Sequence, residues 1–378
     1  MSTASLLLLQ CVVKQARASV TTHDVARAAA VSRVTVSRVL NNHASVTSTV
    51  RERVLRAAVD LGYFGQQARP WVVSAGGRQG RPLVVLPTIG FFFTSVYPDE
   101  LAAGNPFWSH VLRGVERGSS ALGISLIYRS VHPSASDPEM LKHSLSAALP
   151  GGILLVGPAS QEMVRTFVQL GRPLVLVENQ VPLAGVDAVL SDNFAGGRAA
   201  VEHLLANGHR NIAFIGGPTV TSPAPVRHRT NTIWSIEQRA LGYWTALREA
   251  GVQPRAELFE SDNLSTAGGY RACKRLLARA GAFSGIFCAN DETAIGAIRA
   301  LREAGRAVPD DVSVVGFDDI ALVDHLNPPL TTLRVHKEAI GAAAVRQLLE
   351  RALVPDAVPT TVTLGVELIQ RGSVAGAT

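Results

Sequence analysis

A chain of 378 residues, 47% of them hydrophobic, is long enough for two or three domains with buried cores, and no apolar run approaches the ~18 residues of a membrane span. The formal charge of +6 is unevenly placed: residues 1–19 hold Lys14 and Arg17, residues 20–71 hold seven arginines against three acids, and residues 72–378 balance at 27 against 27. This is the pattern of a small polyanion-binding module on a neutral body; a membrane-surface patch would want exposed apolar residues beside the charge.

Residues 1–19 read as a disordered extension. The apolar run from Leu6 to Val13 is short, with no basic residue before it and no small-residue cleavage site, which argues against a secretion signal. Residues 21–42, TTHDVARAAAVSRVTVSRVLNN, predict two short helices joined by a tight turn. Thr21 caps the first, with Asp24 completing a capping box, and Ser32 caps the second. Val36, Val39 and Leu40 face inward at helical spacing, leaving Arg33, Val34, Ser37 and Arg38 outside. Arginines and hydroxyls on a free helix face suit the DNA major groove; an ordinary pair of surface helices fits the same pattern. A third helix follows within 45–63, with Val50, Val54, Leu55, Ala58 and Leu61 as its apolar face and Gly62 as its stop. Residues 20–64 thus form a compact all-α headpiece. Residues 65–81, rich in Gly, Gln and Pro, read as a hinge or linker in which Trp71 stands out.

From residue 82 short apolar runs alternate with helical segments. The runs at 83–86, 124–128, 152–157, 174–178, 212–217, 285–290 and 312–317 read as buried parallel strands. Helices are expected at 106–121, 195–207, 237–250, 267–280 and 292–304. Repeated βα units imply doubly wound sheets, and some 300 residues imply two similar lobes with a ligand cleft at the strands' carboxyl ends. Cys11, Cys273 and Cys288 are odd in number and lack C-x-x-C spacing. No disulfide framework or metal site is expected, and reduced thiols in the cytoplasm fit.

The chain resembles the lactose-repressor (LacI/GalR) family of bacterial transcription regulators from about Val20 to Ser373. The headpiece carries VSRVTVSRVLNN and VRERVLRAAVDLGY. The body carries NPFW at 105–108, SDNFAGGRAAVEHLLANGHRNIAFIGG at 191–217, QRALGYWTALREAG at 238–251, CANDETAIGAIRALREAG at 288–305, VPDDVSVVGFDD at 308–319 and PPLTTLRV at 328–335. The resemblance implies a small helix-turn-helix headpiece on an α/β periplasmic-binding-protein-like body of two doubly wound parallel-sheet lobes. The first lobe would hold about 82–190 and 336–358, the second about 191–335 and 359–378.

It further implies that the helix from about Arg33 to Asn41 enters the major groove. Arg33 and Val34 would read base edges, with Ser32, Thr35, Ser37, Arg38 and Asn41 touching phosphates or bases. Thr21, Ser45 and Thr47, hydroxyls at helix starts, would contact phosphate or simply cap. Two departures stand out. Ala30 replaces a glycine usual in the turn, costing on the order of 1 kcal/mol if its backbone is left-handed. Against the family's pattern the hinge is one residue short, with Pro70 inside the expected hinge helix. Trp71 then either replaces the leucine that wedges into the minor groove or packs against the body.

For the effector, the resemblance points to Phe107 and Trp108 as an aromatic lip, and to Glu178, Ser235, Arg239, Asn290 and Asp318 as polar contacts, with Asp291 capping the following helix. Carboxylates, an amide, an arginine and aromatic faces suit a polyol, so a mono- or oligosaccharide is expected, or else a non-sugar such as a nucleobase. The stretch 88–104 reads as an insertion at the cleft mouth, its Phe91, Phe92, Phe93 and Tyr97 either lengthening the pocket or extending a strand. A homodimer on a near-palindromic operator is expected, since no leucine heptad follows. Val111, Leu112 and Val115 on the 106–121 helix would contact the partner or pack on their own sheet. A solute receptor fits the body alone. An enzyme does not fit: no P-loop, no post-strand G-x-G-x-x-G and no nucleophile triad occurs, and no cofactor is implied.

Overall fold

The computed structural model describes residues 21–40, 46–47, 50, 53–54, 57, 71–74, 82–95, 101–131, 149–181, 185–217, 233–279 and 283–377. The headpiece begins with α1 (Thr22–Ala28) and α2 (Arg33–Leu40). Both halves of the capping box are present: the Asp24 N–H donates to Thr21 Oγ1 at 3.4 Å and the Thr21 N–H to Asp24 Oδ2 at 2.9 Å. Ala30 ends α1 at φ +51°, with Val31 N–H donating to Ala26 O at 3.0 Å and Ala30 N–H to Arg27 O at 3.2 Å. This is a Schellman turn with alanine at the left-handed position. Ser32 then caps α2, its Oγ accepting the Thr35 N–H at 3.1 Å. Residues 50, 53, 54 and 57 are helical, and Val54 and Ala57 close a small core with Val25, Ala29, Val36 and Val39. The expected positions Leu55, Ala58, Leu61 and Gly62, and the Leu40 side chain, lie outside what is described.

The hinge region corrects the sequence reading. Trp71–Ser74 forms β1, paired antiparallel with β2 (Pro82–Val85). Part of the expected linker is therefore a strand, and the 83–86 run belongs to this ribbon instead of the parallel core. Val72, Val73, Val84 and Val85 are β-branched and favour extended backbone. Residues 65–70 and 75–81 lie outside the described residues.

The body's first sheet has the order β13-β7-β6-β5-β3-β4: β3 (Thr88–Thr94), β4 (Ser125–Val131), β5 (Gly152–Val156), β6 (Leu174–Val177), β7 (Asp187–Ser191) and β13 (Thr361–Leu364), all parallel. Here β3 lies inside what was read as an insertion at the cleft mouth. It is an interior strand. Phe91 and Phe93 are buried in the core on one face of the sheet, and Phe92 on the other against Phe167. Two apolar runs stand side by side in the sequence, and periodicity alone could not tell which one joins the sheet. Tyr97 lies outside the described residues.

The second sheet has the order β14-β12-β11-β10-β8-β9: β8 (Ile212–Gly216), β9 (Phe259–Ser261), β10 (Gly285–Cys288), β11 (Ser313–Asp318), β12 (Thr331–Arg334) and β14 (Glu367–Ile369). It is parallel except for β14 against β12. The flanking helices are α3 (Trp108–Ser120), α4 (Gln161–Val168), α5 (Asn193–Ala206), α6 (Trp234–Glu249), α7 (Thr266–Arg279), α8 (Asp291–Glu303) and α9 (Lys337–Leu353). The chain changes lobe after β7, after β12, and again between β13 and β14. That last change falls at 365–366 instead of the expected 359, because Thr361–Leu364 pairs with β7.

Helix α9 covers the first sheet and is fixed to it by a buried bidentate pair. Arg351 Nε and Nη2 each lie 2.7 Å from an Asp187 carboxylate oxygen. It packs on α3 backbone to backbone: a Cβ at Gly114 would strike the Glu338 carbonyl, and one at Gly341 the Val111 carbonyl. Val111 and Val115 are fully buried in this packing and Leu112 lies against the same core. The apolar face considered for dimer contact is thus used inside the lobe. Cys273 and Cys288 are buried free thiols. No helix among the described residues is long and apolar enough to cross a membrane.

Candidate functional site

Two surfaces carry the residues singled out above. On the headpiece, Ser32, Arg33, Val34, Ser37 and Arg38 are exposed along α2 and Thr35 is half-buried. Val34 is 59% exposed, a large apolar side chain presented to solvent. Thr21 Oγ1 is engaged with Asp24 Oδ2 at 2.6 Å. Thr47 is exposed, whereas Asn41 and Ser45 lie outside the described residues. Trp71 is placed by its backbone at the start of β1.

The second surface is a cleft of ≈ 680 Å³, part of it open solvent, where the carboxyl ends of both sheets meet. It brings together Phe107, Trp108, Glu178, Ser235, Arg239, Asn290 and Asp318. Its aromatic lip is set by Asn105, whose Oδ1 accepts the backbone N–H groups of Phe107 at 2.8 Å and Trp108 at 3.0 Å. The two rings meet edge to face at 4.7 Å, and Phe93 supports Trp108 from the sheet at 5.7 Å.

The polar floor is one connected network. Glu178 follows β6 at φ +55°, and its carboxylate accepts from Ser191 Oγ at 2.6 Å and from Asn193 Nδ2 at 3.2 Å. Asn193 Oδ1 in turn accepts from Arg239 Nε at 2.8 Å. Arg239 Nη1 donates to the Ala289 carbonyl at 2.6 Å and lies 3.3 Å from Asp318 Oδ1, while the guanidinium sits 3.7 Å over the Phe317 ring. Ser235 lies buried in the first turn of α6, the helix that carries Arg239. The sequence reading missed Ser191, Asn193 and Asn105. All three lie in or beside fragments that carried the resemblance, but their role is to orient other side chains, and nothing in their spacing announces that.

Asp318 and Asp319 stand at φ +112° and +53°, strained for residues with a Cβ. Their carbonyls accept the Lys337 ammonium from α9, at 3.1 Å for Asp319. Burial pushes the Asp318 carboxyl up to about 6, against the pull of Arg239 and Lys337. Asp291 is buried behind it. Burial and the Asp318 charge push its carboxyl up to about 8, and it meets the Ile320 N–H at 2.9 Å and Thr332 Oγ1 at 2.6 Å. Burial pushes the Lys337 ammonium down. The expectation that Asp291 caps α8 is corrected: Asp291 is the first residue inside that helix. Asn290 fills that role, its Oδ1 accepting the Thr293 N–H at 3.0 Å while its Nδ2 donates to Leu264 O at 3.1 Å.

An arginine-bearing helix pair and a two-lobed binding body define an allosteric DNA-binding protein. Residues 21–66 match "Bacterial regulatory proteins, lacI family" and residues 201–374 match "Periplasmic binding protein-like domain". The chain is 31% identical over 363 residues to the HTH-type transcriptional repressor PurR of Mannheimia succiniciproducens, covering 94% of this chain and 98% of the relative. It is 31% identical over 359 residues to the ribose operon repressor of Escherichia coli, covering 93% and 99%. Among solved structures, a CelR–cellobiose complex is similar at TM-score 0.68 and 29% identity, covering 94% and 99%. The lac repressor dimer bound to operator and the anti-inducer ONPF is similar at TM-score 0.66 and 26% identity, covering 95% and 100%. The chain belongs to the LacI family: it is a DNA-binding transcription regulator controlled by a small-molecule effector.

Proposed function

We propose that this regulator is a cytoplasmic repressor that works as a homodimer on a near-palindromic operator and is controlled by a saccharide held between its lobes, without catalysis. The observation that carries the effector reading is Asp318. Its Oδ1 is ion-paired with Arg239 Nη1 at 3.3 Å but accepts no well-directed hydrogen bond among the described residues, although the side chain is buried. It sits at the end of a preorganised network facing an aromatic lip. A ligand hydroxyl would satisfy that oxygen, and a sugar's C–H face would lie on Trp108 or Phe107. The cellobiose in one similar structure supports the same class.

On DNA, Arg33 and Val34 read base edges, a guanine and a thymine methyl by their chemistry. Ser32, Thr35, Ser37 and Arg38 hold the backbone, with Asn41, Ser45 and Thr47 as further contacts. Thr21 serves first as a cap. Trp71 enters the minor groove only if β1 gives way on DNA. Operator bending by the wild type that is lost in Trp71→Ala would show it, and unchanged bending would rule it out.

Effector binding that prefers one lobe arrangement shifts the dimer toward it, a coupling of ~1–3 kcal/mol. The test is a thermal-shift screen of mono- and oligosaccharides, with nucleobases as the second arm. Hits are then titrated against operator binding. A sugar that stabilises the wild type but not Asp318→Ala, and that changes operator affinity, is the expected result. Stabilisation by nucleobases alone would refute the saccharide reading.

A further inference from the structure

The turn that ends β11 is held from three elements at once. Asp318 closes that strand and Asp319 follows it, at φ +112° and +53°, both strained for residues with a Cβ. Arg334 Nε of β12 lies 2.7 Å from one Asp319 carboxylate oxygen, and Arg371 Nη2 of the C-terminal segment lies 2.8 Å from the other. Arg371 is itself held by Asp324 at 3.0 Å and by the Leu330 carbonyl at 2.9 Å. These contacts all lie in the second lobe. The third holder comes from the other side: Lys337, the first residue of α9, donates to the carbonyls of both Asp318 and Asp319.

Lys337 is out of place as a helix residue. A cation in the first turn opposes the helix dipole, and this one is buried, where an ammonium is costly unless its donors are satisfied. The carboxylates of Asp318, Asp291 and Asp319 around it favour the charge, and the two carbonyls take its protons. Its helix belongs to the first lobe, anchored there by Arg351 on Asp187, whereas Asp318 lines the cleft. A single side chain therefore joins the backbone beneath a cleft carboxylate to the helix that covers the first sheet.

We propose that Lys337 is a positioning residue: it fixes the Asp318–Asp319 turn so that the Asp318 carboxylate is presented to the cleft, and it carries effector occupancy from the second lobe into α9. The second half rests on the cleft being the effector site.

Amide hydrogen exchange on the full-length protein tests the first half without any ligand. The reporters are Ile320, whose N–H meets Asp291 Oδ2 at 2.9 Å, and Val335, whose N–H meets the Asp318 carbonyl at 3.5 Å. Lys337→Met should speed exchange at both about tenfold and leave the β5 and β6 amides unchanged. Lys337→Arg, which keeps charge and donors, should stay within about threefold of wild type. Lys337→Gln also lacks the ammonium, and the same comparison applies to it if Lys337→Met does not fold. Unchanged exchange at Ile320 and Val335, an equal rise in β5 and β6, or a loss in Lys337→Arg as large as in Lys337→Met would overturn the positioning role.

The second half is tested with ribose, glucose and cellobiose. A sugar that binds the wild type should protect α9 amides, bind Lys337→Met about tenfold more weakly, and leave α9 unprotected in that variant even at saturation. Binding without protection of α9 in the wild type, or equal protection in the variant, would overturn the coupling. Binding of none of the three to the wild type would count against the saccharide reading and overturn the coupling with it, while the ligand-free comparison still decides the positioning.

Discussion

Among the described residues of the headpiece, Ala30 is the one non-glycine residue at positive φ. A left-handed conformation costs a residue with a Cβ about 1–2 kcal/mol, and Ala30 holds φ +51°. Ala30→Gly removes that cost. It also gives the unfolded chain more freedom, which takes back about 0.4–1 kcal/mol. No packing is lost, since Ala30 is exposed. The net expectation is stabilisation by about 0.7 kcal/mol, a threefold change in the local opening equilibrium. Amide hydrogen exchange on the full-length protein reads it directly, at the α1 and α2 amides and at Val31, whose N–H closes the turn onto Ala26. Exchange there should slow about threefold. Ala28→Gly is the control: Ala28 is exposed but helical, so glycine should cost up to about 1 kcal/mol and speed exchange. If Ala30→Gly leaves exchange unchanged or faster, the reasoning from backbone strain is wrong.

Further outcomes follow from other contacts. Arg33→Ala should relax discrimination at one operator position by about 1–3 kcal/mol, while Arg38→Ala should weaken all sequences alike and reduce the salt dependence by about one phosphate contact. Anisotropy titrations against operator variants at several salt concentrations separate the two. Arg351→Ala leaves Asp187 buried without its partner and should cost about 3–5 kcal/mol in denaturant unfolding; a loss under about 1 kcal/mol would mean the pair does little to anchor α9. Burial and the Asp318 charge push the folded Asp291 carboxyl up to about 8 from its ordinary 3.8, so the folded state holds an extra proton between these values. Its contribution to stability is full below about pH 4 and is lost as pH rises toward 8. Asp291→Asn should flatten the stability profile across that window, and a profile unchanged from wild type would assign the slope elsewhere.

Most of the architecture was legible because buried parallel strands read as apolar runs between amphipathic helices. The runs at 152–157, 174–178 and 285–290 are interior strands at nearly those limits. The capping box at Thr21 and the left-handed Ala30 were legible because cap and turn chemistry is local in sequence. What escaped was non-local. LVVL and IGFFF are equally good strands in isolation, and only the partners available to each decide that one forms a ribbon with Trp71–Ser74 and the other joins the first sheet. Thr361–Leu364 and Glu367–Ile369 are short edge strands whose pairing with opposite lobes depends on the fold already assembled. In the cleft, resemblance located residues that line it but gave no sign of Asn193, which joins Glu178 to Arg239.

The way the chain returns to its first lobe sets a constraint on biosynthesis. That sheet lacks the helix covering one face until Lys337–Leu353 has been made, and lacks an edge until Thr361–Leu364 follows. The second sheet waits for Glu367–Ile369. As the polypeptide emerges from the ribosome, the headpiece is the one part that can finish folding early, and it would be free to touch nucleic acid while both lobes are incomplete. Truncation before Thr361 would leave both halves of the clamshell incomplete together, and so would silence the sensor while sparing the part that grips the chromosome.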